Sequence, residues 1–234
     1  MLSLISFFTN IPSKGNLEKA SRETFLLPLI ALIISFPAAM VFYFLNFIPL
    51  IIRAIFAILV IYAINGLLHL DGLADFSDGL MVKGSKEKKI KALKDVNTGI
   101  AGLFSVLFVI IVEISSLYSL KISMINVFSF FIVSEFSAKF SMLLGLTNHG
   151  GGEGLGALFE RNFKSWYLLT AVLISAPFIF LFGYKYFFSF SGFIISAIIS
   201  LICKRNFAMV NGDCLGAMNE ISRAITMVFL CLVL

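Results

Sequence analysis

Seven runs of about twenty apolar residues dominate this chain: roughly 26–47, 49–68, 99–120, 122–146, 166–184, 187–203 and a last helix running to Leu234. About 20 such residues are what a helix needs to cross a bilayer core ~30 Å thick. Within lipid a helix satisfies its own backbone, and an open strand does not. The composition agrees: 59% of the 234 residues are hydrophobic, 13% are charged and the mean hydropathy is +1.01. The expected fold class is therefore all-α, a polytopic integral membrane bundle of about seven transmembrane helices. Tight junctions near Asn46 to Pro49 and Lys121 to Ser123 predict helical hairpins, so residues 1–234 read as one domain.

The segments between the runs are strongly asymmetric in charge. If the first helix starts inside, the inner segments 1–25, 69–98, 147–165 and 204–223 hold fourteen Lys and Arg, and the outer connections hold only Arg53, Lys121 and Lys185. Positive charge marks the cytoplasmic side. The chain is expected in the cell membrane with its N-terminus and long loops in the cytoplasm. The net charge of +5 follows from that orientation and needs no nucleic-acid partner. The first twelve residues are apolar without a basic start or a small-residue cleavage site, so 1–24 reads as an interfacial segment against membrane lipid rather than a cleaved signal peptide. Cys203, Cys214 and Cys231 form no C-x-x-C pair and read as packing residues.

All five aspartates fall in or beside the cytoplasmic segments, most conspicuously in "HLDGLADFSDGL", residues 69–80. On a helix, Asp71, Asp75 and Asp78 fall within a stripe of roughly 60°. Two carboxylates 5–6 Å apart repel by roughly 3 kcal/mol at an effective dielectric near 20. A divalent cation removes that repulsion, and an all-carboxylate oxygen set suits Mg²⁺ or Mn²⁺ bridging to substrate phosphate. The plainer alternative is a solvated acidic segment at a helix end. His69 lies nearly opposite the stripe and reads equally as a hydrogen-bonded interfacial histidine or as a substrate contact.

Three further segments bear on chemistry. In 69–98, a Lys-rich stretch is followed by Asp95, Asn97, Thr98, Gly99 and Gly102 just before an apolar run, where a helix N-terminus offers N–H groups to an anion; Asp95 fits that site or an N-cap. The 147–165 loop is glycine-rich, with Gly152, Gly154 and Gly156 able to approach a phosphate closely or simply to make a loop. "NGDCLGAMNEISR" opens the last helix, placing Gly212 and Asp213 at its N-terminus, Asp213 as a further metal-site carboxylate or a cap. Glu113, Glu135 and Lys139 sit within apolar runs, where ionisable groups mark a function or an internal ion pair.

Four of these segments, in order, resemble the cobalamin synthase family, the adenosylcobinamide-GDP ribazoletransferases. The residues that carry the likeness are "LHLDGLADFSDGL", "LKDVNTGIAG", "GLGALF" and "GDCLGA", with "FFTNIP" near the start. The resemblance implies a Mg²⁺-dependent membrane transferase with a cytoplasmic-facing site. It would join adenosylcobinamide-GDP to α-ribazole or its 5′-phosphate and release GMP. It makes Asp71, Asp75, Asp78 and Asp213 the candidate catalytic and metal-holding carboxylates. His69, Asp95, Gly152, Gly154, Gly156 and Gly212 are then candidate substrate contacts, and homo-oligomerisation is left open. The family usually has Arg where Asn97 stands and another near Asn10, so a lysine from 83–94 is the expected substitute. Two other Mg²⁺ transferases, of the CDP-alcohol phosphotransferase and prenyltransferase kinds, share clustered aspartates. "DFSDG" lacks the A-R and the later aspartates of the former's motif. A transporter lined by Glu113, Glu135 and Lys139 is the remaining alternative, and it would need paired halves that the sequence does not display.

Overall fold

The computed structural model describes residues 1–148 and 154–233. Those residues contain helices and turns and no strand. Two short helices, α1 (Leu2–Phe8) and α2 (Leu17–Arg22), precede a 3₁₀ turn, Thr24–Leu26, that runs into α3 (Leu27–Phe44). There follow α4 (Leu50–Asn65), α5 (Leu68–Met81), α6 (Lys86–Leu93), α7 (Ile100–Tyr118) and α8 (Met124–Leu146). After the glycine-rich loop come α9 (Leu155–Asn162), α10 (Trp166–Ser175) and α11 (Phe178–Phe182). A 3₁₀ segment, Gly183–Phe190, leads into α12 (Ser191–Phe207), and α13 (Gly212–Val233) closes the bundle.

Five helical segments are long and apolar enough to cross a membrane: Thr24–Phe44, α7, α8, Phe178–Phe207 and α13; α4 and α5 pass the same test only together, across a sharp bend. The run expected over 166–184 is not one span. Pro177 interrupts it, leaving ten residues in α10 and five in α11. The two still connect the bundle's ends. The Tyr167 hydroxyl donates to the Arg22 carbonyl at 2.8 Å at one end, and Lys185 Nζ reaches Asn126 Oδ1 at 2.6 Å at the other.

Helix α8 is the central post, with 94% of its spanning window buried, whereas α7 is only 28% buried and turns Phe104, Phe108 and Ile111 outward. The sequence of α8 explains its position. Ser134, Ser137, Ser141 and Gly145 are small, and small residues let helices approach closely in a membrane. The hydroxyls of Ser137, Ser191 and Thr226 bond to one another at 2.7–3.1 Å and tie α8, α12 and α13 together.

The feature that positions the site is the 94° bend between α4 and α5. It occurs at Gly66, whose φ of 76° is the left-handed region that favours glycine. Asn10 secures the corner, its backbone N–H donating to the Ile64 carbonyl at 2.7 Å and its side-chain amide to Ala63 at 3.1 Å. The last carbonyls of α4, which a helix end leaves without partners, are thereby satisfied. From this corner α5 runs across the end of the bundle, outside the spanning segments, and packs on the first turns of α7 and α13.

Candidate active site

Glycine pairing fixes where the acidic stripe lies. A Cβ on Gly72 would meet Asp213 Cα at 3.1 Å, and one on Gly216 would meet the His69 carbonyl at 2.9 Å and Gly72 Cα at 3.2 Å. These glycines serve a backbone-to-backbone helix crossing. The crossing sets the exposed Asp71 of α5 next to the half-buried Asp213 of α13.

Two cavities meet at that point. The first, of ≈ 490 Å³, lies between α5 and the segment after α6 and is lined by Asp71, Asp75, Lys94, Asp95 and Asp213. The second, of ≈ 320 Å³, runs inward between α1, α9 and α13 and is mostly apolar, walled by Phe7, Phe8, Met142, Leu146 and Phe159. Asp71, Lys94 and Asp213 line both. They form a shared polar rim.

The four candidate carboxylates have different surroundings. Asp75 is half-buried. Burial first, and then the carboxylates of Asp71, Asp213 and Asp78, push it up to about 6. Asp78 is committed elsewhere: it accepts from the N–H groups of Gly99 at 2.6 Å and Gly102 at 2.8 Å. The anion at the N-terminus of α7 is thus the protein's own carboxylate, which the helix dipole and two charge-assisted bonds hold in place. The N–H groups that the sequence offered to a bound phosphate are taken. Asp213 Oδ2 accepts from the Asn211 side-chain amide at 2.8 Å, and Asn211 Oδ1 accepts from Cys214 N at 3.0 Å, so Asn211 is the cap of α13.

Asp95 is not the cap of α7, which begins five residues later after Gly99. It closes a turn on itself, accepting from the Asn97 backbone N–H and side-chain amide, both at 3.0 Å. The backbone bond first, and then the amide, hold its carboxyl below the ordinary value. His69 is buried, bonds through Nδ1 to Asn65 Nδ2 at 3.2 Å and stacks on Phe8 at 6.2 Å between centroids. It lines the apolar cavity, as do Gly156 and Gly212. Gly154 precedes α9 and is exposed with no atom within 4 Å of its would-be Cβ. Gly152 lies outside the described residues.

Among the described residues no three His, Cys, Asp or Glu groups stand close enough to cage a metal ion unaided. A Mg²⁺ site shared with a phosphate substrate would need only one or two carboxylates from the protein. The crowded carboxylates around Asp75 are hard oxygen donors of that kind.

Over residues 1–231 the sequence matches the family described as Cobalamin-5-phosphate synthase. The chain belongs to that family. It is 42% identical to a protein of Pyrococcus abyssi named Adenosylcobinamide-GDP ribazoletransferase, over 98% of this chain and 97% of that one. Proteins of the same name from Pyrococcus furiosus and Clostridium tetani are 40% and 36% identical, each covering 97% or more of this chain. No solved structure matches it. Lys94, from the 83–94 segment, is the basic group on the shared rim.

A polar network inside the bundle was only half visible in the sequence. Arg223 is completely buried. It donates from Nε to Glu113 Oε1 at 2.7 Å, from Nη1 to Glu135 Oε1 at 3.2 Å, and from Nη2 to the Tyr62 hydroxyl at 2.8 Å and to Glu220. Lys139 Nζ lies 3.6 Å from Glu135 Oε2 and donates to Asn219 Oδ1 at 2.9 Å. Glu113, Glu135 and Lys139 therefore belong to an internal ion network. Arg223 is not a cytoplasmic loop charge, because α13 begins eleven residues before it. Arg53 likewise is buried, over the Phe42 ring at 4.7 Å. One cation leaves each side of the charge count, and the asymmetry remains.

Proposed function

We propose that this chain transfers the adenosylcobinamide-phosphate moiety of adenosylcobinamide-GDP to α-ribazole or its 5′-phosphate, forming adenosylcobalamin or its phosphate and releasing GMP. The observation that carries this reading is the rim of Asp71, Lys94 and Asp213, where a polar cavity meets an apolar one. A transfer between a charged diphosphate and an aromatic nucleoside needs such a meeting point, since bringing two reactants together in the right geometry supplies much of the rate.

The ribose hydroxyl oxygen of the ribazole bonds to the phosphorus on the cobinamide side, and the bond from that phosphorus to the GMP oxygen breaks. A rim carboxylate, Asp71 or Asp213, takes the hydroxyl proton. The Lys94 ammonium stands against the diphosphate and offsets its charge. One or two of Asp71, Asp75 and Asp213 would hold Mg²⁺, which would neutralise charge on the diphosphate and on leaving GMP. Asp78 keeps α5 docked on α7, and the phenylalanine wall excludes water from one side of the rim. The lysine-rich flank of the site turns it to the cytoplasm.

The test is to reconstitute the purified full-length chain in proteoliposomes and supply adenosylcobinamide-GDP, α-ribazole and Mg²⁺. Mass spectrometry should find the joined product, with one GMP for each. Folded protein that releases no GMP under these conditions would overturn the assignment.

A further inference from the structure

The apolar cavity contains more than a catalytic rim requires. Phe7 and Phe159 lie 4.8 Å apart between centroids, and Phe8 meets Phe159 edge-on at 5.7 Å while stacking on His69 at 16°. These rings come from α1, α5 and α9, three elements that no continuous span requires to meet. Thr24 lines the same cavity, and its hydroxyl is buried with no hydrogen-bond partner among the described residues. A buried hydroxyl without a partner is unfavourable. A ligand atom that accepts one hydrogen bond would satisfy it.

The dimensions and chemistry together restrict the occupant. At ≈ 320 Å³ the cavity admits a fused bicyclic ring and excludes a corrin. Away from the rim, aromatic and aliphatic side chains supply stacking surface, and the inner wall offers few hydrogen-bonding groups besides Thr24 and His69. Guanine, with donors and acceptors along most of its edge, would leave several of them unpaired there. A benzimidazole, the base that defines a ribazole, presents two ring faces and one unsubstituted nitrogen that accepts. Its ribose would then emerge at Asp71 and Asp213, where the attacking hydroxyl is needed.

We infer that the cavity between α1, α9 and the start of α13 is the pocket for the flat base of the acceptor nucleoside, with Phe8 and Phe159 as its walls and the Thr24 hydroxyl donating to the free ring nitrogen. The inference rests on the proposed ribazole transfer. It adds which substrate enters which cavity, leaving the polar cavity for the diphosphate.

Michaelis constants for the two substrates, measured separately on the reconstituted full-length enzyme, test it. Stacking of one base on an aromatic side chain is worth enough that Phe159→Ala should raise KM for α-ribazole about tenfold, with KM for adenosylcobinamide-GDP within twofold of wild type. Phe159→Leu keeps the apolar bulk and controls for collapse of the wall; it should show the same selectivity at smaller size. Thr24→Val, nearly isosteric, should weaken α-ribazole and leave the corrinoid substrate alone. Free benzimidazole should compete with α-ribazole in the wild type and less well in both Phe159 variants. Variants that raise KM for adenosylcobinamide-GDP, or weaken inhibition by GMP, would place guanine in the cavity and overturn the inference while leaving the transfer reaction standing. If the wild type transfers nothing, the functional reading fails instead, and equilibrium dialysis of benzimidazole against wild type and Phe159→Ala still decides whether the cavity takes such a ring.

Discussion

Gly72 and Gly216 cross with so little room that a Cβ on Gly216 would lie 3.2 Å from Gly72 Cα. The contact is between backbones, so neither helix can give way by turning a side chain. Gly216→Ala should therefore push α5 off α13, separate Asp71 from Asp213, and reduce kcat/KM at least about tenfold, at an overpacking cost of about 1–3 kcal/mol. Activity and thermal unfolding of the detergent-solubilised protein measure both, and an alanine variant with wild-type turnover would show that the crossing does not set the site.

Asp75 and Asp78 are three residues apart and should respond oppositely to neutralisation. Asp75 is half-buried among three like charges, so Asp75→Asn should raise the unfolding midpoint in the absence of divalent cation while lowering transfer activity. Asp78 accepts from two backbone N–H groups, so Asp78→Asn should lower the midpoint, at a stability cost of about 1.5–3 kcal/mol when these charge-assisted bonds are weakened. Thermal melts of the two variants side by side check the signs.

Lys94 is the cation on the shared rim. Lys94→Ala should raise KM for adenosylcobinamide-GDP about tenfold, the value of a charge-assisted hydrogen bond of ~1.5 kcal/mol. Lys94→Arg should recover most of the loss, and steady-state kinetics with the second substrate saturating would reveal it.

Arg223 is fully buried against three glutamates. Removing one partner of a buried ion network leaves charge uncompensated, at a cost of about 3–5 kcal/mol. Arg223→Met should abolish monodisperse protein in size-exclusion chromatography. Adding Glu113→Gln and Glu220→Gln to the same chain should restore it in part.

The sequence made the ends of the site legible and hid its middle. The spacing of Asp71, Asp75 and Asp78 on one helical face, and the placing of Asp213 in the first turn of the last helix, are local properties of one element each. The partners of Asp78 were hidden: only the packing of α5 on α7 reveals that it accepts from the N–H groups of Gly99 and Gly102. A lysine from 83–94 is expected at the site, but that it is Lys94 depends on where α6 ends. Glu220 and Arg223 did carry a signal, a spacing of three beside Asn219 in a helix otherwise turning apolar. The sequence opens the last helix near Asp213, but the charge count leaves Arg223 with the inner-segment charges, and Tyr62, from another span, had no signal at all. The 166–184 run showed the reverse error, its apolar character masking the break that Pro177 imposes.

The Arg223 network also sets an order on synthesis. Tyr62, Glu113, Glu135 and Lys139 emerge from the ribosome and enter the bilayer well before α13, the last helix, brings Asn219, Glu220 and Arg223. Until that helix arrives, two glutamates and a lysine lack the guanidinium that joins them, and ionisable groups in a bilayer without partners are costly. The same helix carries Asp213, so the segment that completes the interior is also the one that completes the site. A chain stalled before its final span would be neither settled in the bilayer nor able to bind.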